Sequence, residues 1–139
     1  MDQFAAVVRI GDSEEHRTQE QALSILRLHV EEGCWSSPPG HKISAGMPVI
    51  ASHIGAGIGW FLVGVFTGEH MPIPWPRRPE HANHIGHAAS FMDAAFVADP
   101  DRIPGAKGRH FRWLSTDEFA EAFAELRVDE QHTPLARRE

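Results

Sequence analysis

The segment Trp60-Phe61-Leu62-Val63-Gly64-Val65-Phe66-Thr67-Gly68-Glu69 is apolar at odd and even positions alike. A half-buried strand alternates, so a strand without alternation must be covered on both sides. Just before it, Pro48-Val49-Ile50-Ala51-Ser52 reads as a second apolar strand, and Ile54-Gly55-Ala56-Gly57-Ile58-Gly59 between them is too rich in glycine for a helix interior. The chain therefore has to be built around a buried hairpin with covering elements on each face. At 139 residues it has the length of one domain, and a chain of this size buries about two thirds of its unfolded surface without staples.

The rest of the sequence supplies the cover. Phe4 to Ile10 is a short apolar strand closed by Gly11-Asp12. A helix follows, with capping-box spacing at Thr18 and Gln21, a stripe of Ala22, Ile25, Leu26, His29 and Val30, and Gly33 as its stop. His29 falls on that stripe and reads as a core histidine. Cys34 to Gly40 reads as turn chemistry. Met71 to Pro79 holds four prolines and reads as a rigid loop. By period, Ala88 to Ala98 fits strand or helix; its surroundings favour a strand, and a helix there would break a barrel. His110 to Leu114 alternates as a last strand, and Ser115 with Glu118 caps a helix striped by Phe119, Ala122, Phe123 and Leu126. The expected fold is α+β: a small, mostly antiparallel curled sheet or β-barrel flanked by two helices, occupying residues 1–128 as a single domain. Residues 129–139 are expected to form a polar, frayed tail.

Composition removes several function classes. A single cysteine, Cys34, excludes an internal disulfide framework and a four-cysteine zinc site. No membrane span is read, the N-terminal residues lack the pattern of a secretory signal, and the expectation is a soluble, cytoplasmic protein. The net charge of −6 argues against non-specific coating of nucleic acid. That charge is uneven, because residues 12–32 and 117–130 are acidic whereas residues 33–114 carry seven Lys/Arg against five acids and seven of the ten histidines. Ordinary surface charge is the plain explanation; a locally basic middle is the sharper one.

Lys42-Ile43-Ser44-Ala45-Gly46-Met47, the strand from Pro48 to Ser52, the run Phe61 to Glu69 and the stretch Pro74-Trp75-Pro76-Arg77-Arg78 together resemble the PUA-like barrels, within them the EVE and ASCH branch. Met47 stands where those domains carry an acidic residue, and the chain has no tyrosine. The resemblance implies a non-enzymatic module that recognises nucleic acid, a modified base included, or a nucleotide-like small molecule in an aromatic pocket. Indoles stack on bases with about 1–3 kcal/mol per base, and arginines hold phosphates. The expected ligand-binding residues are Trp35, Ser52, His53, Trp60, Trp75, Arg77 and Arg78. Trp60 and Trp113 read first as core, whereas Trp35 and Trp75 flank turns, where packing explains an indole less readily.

Glu80-His81-Ala82-Asn83-His84-Ile85-Gly86-His87 is the sharpest local motif, with three histidines at steps of three. Imidazole is a common ligand of zinc and other divalent metals. Steps of three fan over about 120° on a helix, and on a strand they alternate faces. Only a loop would converge His81, His84 and His87 on one ion, although two of them with His53, His70 or Glu80 could make a site on regular structure, so a metal-dependent enzyme is the alternative reading rather than the first. No cofactor is otherwise implied, and no residue pattern marks a nucleophile or an acid–base pair. A third possibility is an interaction subunit of a larger assembly or an oligomer, with the glycine hairpin and proline loop as contact surfaces.

Overall fold

The computed structural model describes residues 3–10, 18–55, 58–76, 79–107, 110–128 and 132–135. Its elements are β1 (Ala5–Arg9), α1 (Gln19–Glu32), β2 (Cys34–Ser37), β3 (Pro48–Gly55), β4 (Ile58–Met71), β5 (Ile85–Phe91), β6 (Ala94–Ala98), β7 (Phe111–Leu114), α2 (Thr116–Val128) and β8 (His132–Pro134). All the strands join one mixed sheet in the order β2-β5-β4-β3-β1-β7, with β6 pairing β4 and β8. β1 and β3 run parallel, connected through α1, and the other pairings are antiparallel. The sheet curls into a half-barrel flanked by the two helices.

Burial of the central strands on both faces has a direct cause. Ala6 and Val8 of β1, Val49 and Ala51 of β3, and Trp60, Leu62 and Phe66 of β4 pack with Ala22 and Leu26 of α1. Their neighbours of opposite parity, Ala5, Val7, Ile50, Phe61 and Val63, pack with Ala122 and Leu126 of α2. One helix thus covers each face, and the non-alternating strands are what such a sandwich requires.

Both helix starts match their sequence signals. Thr18 Oγ1 accepts from Gln21 N and Thr18 N donates to Gln21 Oε1; Ser115 and Glu118 form the same reciprocal pair at 3.1 and 3.0 Å. Replacing Ser115 with alanine leaves Glu118 N without its acceptor. A loss of about 1 kcal/mol in urea unfolding is expected, and no loss would show that the cap is not stabilising.

Three expectations need correction or completion. Cys34 to Ser37 is a strand rather than a turn: Gly33, in the left-handed region at φ 58°, ends α1 and delivers the chain directly into pairing with β5. The segment 88–98 is strand, divided between β5 and β6 by a turn in which Met92 N donates to Val63 O. Residues 132–135 are not a frayed tail. β8 pairs with β6, Arg27 Nε donates to Leu135 O at 2.8 Å, and the Leu135 side chain is buried in the α1-side core. A single leucine among polar residues carried no periodicity by which to see this.

Among the described residues, three cations of the middle segment face carboxylates. Arg102 faces Glu125, Lys107 faces Asp101, and Arg112 faces Glu118. No described helix is long and apolar enough to cross a membrane.

Candidate functional site

Curling brings the two ends of the sheet path, β2 and β7, together on the α1 side, and the seam between them is made of rings. Its centre is Trp35, 1% exposed, whose indole Nε1 donates to Arg9 O of β1 at 3.0 Å. The bond reaches from β2 to the strand that pairs with β7. His110, just before β7, approaches Ser36 O of β2 with Nε2 at 3.3 Å; since a carbonyl only accepts, that nitrogen carries the proton. Its ring lies almost parallel to Trp35, with centroids 5.1 Å apart and planes at 26°.

β-sheet register builds the next part. Trp35 pairs with His87 across β2 and β5, and His87 with His70 across β5 and β4, so the three side chains form one row on one face. Their ring centroids are 5.7 and 5.2 Å apart. His70 reaches this register because β4 bulges between Phe66 and His70. Gly68 sits in that bulge with φ 87°, and a Cβ there would press on Ala45 N at 2.8 Å, so a glycine sets the row. Ser37, two residues after Trp35 on the same face, donates its hydroxyl to Pro38 O at 3.0 Å and accepts from His87 Nε2 at 3.1 Å.

The rim comes from loops and turns. His41 stacks on Phe111 of β7 at 4.5 Å and 17°. His81 and His84, on the turn before β5, stack on each other at 4.3 Å, and His84 lies 6.1 Å from His110. The result is one connected group of imidazoles, His41, His70, His81, His84, His87 and His110, around Trp35, Phe66 and Phe111.

Burial disfavours the charged form of three of these imidazoles, His87, His110 and His41. His87, 4% exposed, is pushed down to about 4 by desolvation first, then by His70 and His41. His110 is lowered mainly by desolvation, with further contributions from His84, His41 and His81, and His41 is lowered by desolvation. Cys34 beneath the row is buried, and its thiol is raised to about 11 by desolvation, so it is not a nucleophile at neutral pH.

The residues expected to line a pocket are placed differently. Trp35 sits in the seam as a buried wall rather than an exposed plate. Ser52 and His53 are adjacent on β3 and therefore point to opposite faces. The Ser52 hydroxyl lies 3.3 Å from both Val8 O and Ala106 O, while His53 Nδ1 donates to Ile10 O at 3.0 Å. Trp60, 7% exposed, is core. Trp75 packs on His29 of α1 at 4.8 Å, and His29, buried, donates Nδ1–H to Ile25 O. Trp75 thus packs on a buried histidine that His53 also influences electrostatically, and Ser52 points to the other face of β3. Arg77 and Arg78 lie outside the described residues.

His81, His84 and His87 do not converge. His87 turns into the Trp35 row while His81 and His84 pair outside it, and no group of three His, Cys, Asp or Glu among the described residues is placed to hold a metal ion. The cause is that β5 begins at Ile85, which puts His87 on a strand and leaves the other two on the preceding turn.

No known family model, curated protein or solved structure matches this chain. The site therefore has to be read from its own chemistry. Sequence reasoning named His70 only as a possible companion ligand to the histidine motif and did not select His41, His110, Phe66 and Phe111 as site residues. The one available signal was the concentration of histidine between residues 33 and 114, a property of composition that says nothing about which strands face each other.

Proposed function

We propose that this chain is a binding module that holds a planar nitrogenous ring, a nucleobase of nucleic acid or of a nucleotide-like small molecule, at the histidine rim of the β2–β7 seam. The observation that carries this reading is the stepwise stack leading from buried Trp35 through His110, and from Phe111 through His41, to the surface. Rings already near-parallel present flat faces to a further ring, and neutral imidazoles offer one donor and one acceptor to the edge of a base. The PUA-like resemblance points to the same ligand class, modified bases included, and belongs to the proposal. The rim at His41, His84 and His110 replaces the arrangement around Ser52 and Trp60, whose polar and aromatic groups are taken up by the core.

The test is a titration of the full chain with nucleosides and short single-stranded DNA and RNA, plain and base-modified, followed by tryptophan fluorescence. Saturable quenching is expected, because Trp35 lies in contact with the rim. His41→Ala removes an outer ring from a loop. It should weaken binding about tenfold, within the range of one base–aromatic stack, with the melting temperature unchanged. Equal affinity in His41→Ala, or no response to any of these ligands, would refute the reading.

A further inference from the structure

The seam gathers His41, His70, His81, His84, His87 and His110 within successive ring contacts of 4.3–6.3 Å, and the charged groups around them are arranged asymmetrically. On β5 the neighbour is His87 itself, and on β4 it is His70, followed outward by exposed Glu69. The turn before β5 brings His81 and His84. The loop before β3 brings His41 and exposed Lys42, and β2 brings the buried Cys34 thiol with Ser36 and Ser37. From β7 come His110 and Arg112, but Arg112 points to the opposite face and pairs with Glu118 of α2. Arg9 of β1 also alternates away from Val8 and the ring face. The groups that act electrostatically on His87 are His70 and His41, and those acting on His110 are His84, His41 and His81. Every one of these is another imidazole.

Such a cluster resists its own protonation. A proton on one ring raises the cost of a proton on the next, and none of the groups that act electrostatically on His87 or His110 is a carboxylate that would compensate it. An anion placed at the rim reverses this balance, since each added proton then meets an opposite charge. A phosphate also accepts the N–H donors that imidazolium rings present.

We infer that the rim at His41, His84 and His110 binds the phosphate of a phosphate-bearing ligand, a nucleotide or nucleic-acid strand rather than a free base or nucleoside, and that the imidazoles take up protons from solvent as it binds. This inference rests on the proposed ring-binding function and adds the charge class of the ligand and the pH response of the site.

Calorimetry of the full chain separates the two. The probes are a nucleoside, its 5′-monophosphate, ribose 5-phosphate and inorganic phosphate, each in two buffers of different ionisation enthalpy between about pH 6 and 8. The monophosphate should bind at least about tenfold more tightly than the nucleoside at the acid end. The apparent heat should differ between buffers, showing proton uptake, and affinity should fall by up to about tenfold per pH unit for each proton linked. His110→Asn retains a side-chain donor for Ser36 O but cannot titrate in this range, so proton uptake should decrease while the fold persists. If nucleoside and monophosphate bind equally, or the monophosphate binds with no buffer dependence, the anion inference is wrong and ring binding stands. If ribose 5-phosphate binds as well as the nucleotide, with proton uptake, the anion inference stands and ring binding is wrong. If none of the probes binds, both are wrong.

Discussion

Replacing Trp35 with alanine is expected to destabilise the protein by about 3–5 kcal/mol, the cost of emptying a fully buried aromatic site, and to lower the melting temperature by about 10–15 °C. The indole is 1% exposed and lies within ring-contact range of Phe66, His87, His110, His41 and Phe111, which come from β4, β5, β7 and the loops beside them. Its N–H also satisfies Arg9 O. Trp35→Phe retains most of the ring area but leaves that carbonyl without the indole donor, so a smaller loss of about 1–2 kcal/mol is expected. Chemical unfolding of both variants checks the pair of values. Equal losses would mean that the ring area retained by phenylalanine contributes nothing and the whole effect lies in the indole N–H, and a loss below about 1 kcal/mol for Trp35→Ala would mean that the seam does not hold the sheet's ends together.

Trp35 also shows where sequence reasoning stopped. Its neighbours Ser36, Ser37, Pro38, Pro39 and Gly40 are turn formers, and local propensity pointed to a turn. Tertiary pairing with β5 overrode that propensity, since Cys34 and Trp35 are buried and a strand satisfies their backbone groups. Where local and global preferences agree, the fold was legible. The capping boxes at Thr18 and Ser115, the stripes of α1 and α2, and the double-sided burial of β4 all follow from spacing alone. Leu135 and β8 were not legible because three residues of strand have no period.

The site was less legible than the fold for a physical reason. Ser52-His53 looked like one feature in the sequence, and strand alternation divides it between two faces. His81, His84 and His87 looked like a ligand set, and the start of β5 between the second and third separates them. Conversely, His41, His70 and His110 are far apart in the chain and meet only because the sheet curls and β4 bulges at Gly68. Curl and register are properties of paired strands, and a single sequence does not display which strands pair.

Acid should loosen this seam before it affects the rest of the protein. The His87 imidazole is held near 4 in the folded chain against 6.5 when free, so between these values the unfolded chain binds more protons than the folded one. Stability therefore increases with pH through that window. It is complete above about 6.5 and is lost as pH falls towards 4. Between about pH 7 and 5 the linkage from His87 alone amounts to about 2 kcal/mol. His29, His41 and His110 are lowered as well, mainly by desolvation, and act with the same sign. Glu118 also favours the folded state, but as a carboxylate held below its usual value by the Ser115 backbone N–H. Its contribution disappears only in the more acidic carboxylate range, so the two effects separate on the pH axis. Urea unfolding at a series of pH values should show the loss, and His87→Gln, neutral throughout, should remove about 2 kcal/mol of the difference between the two ends of the window whatever its stability at neutral pH. If stability stays flat between these pH values in the parent chain, or if His87→Gln has the same slope, the buried row is not the origin of the acid sensitivity. A positive result assigns the response to the row in which Trp35, His87 and His70 lie side by side, because burial there and mutual repulsion between imidazoles are what oppose the proton.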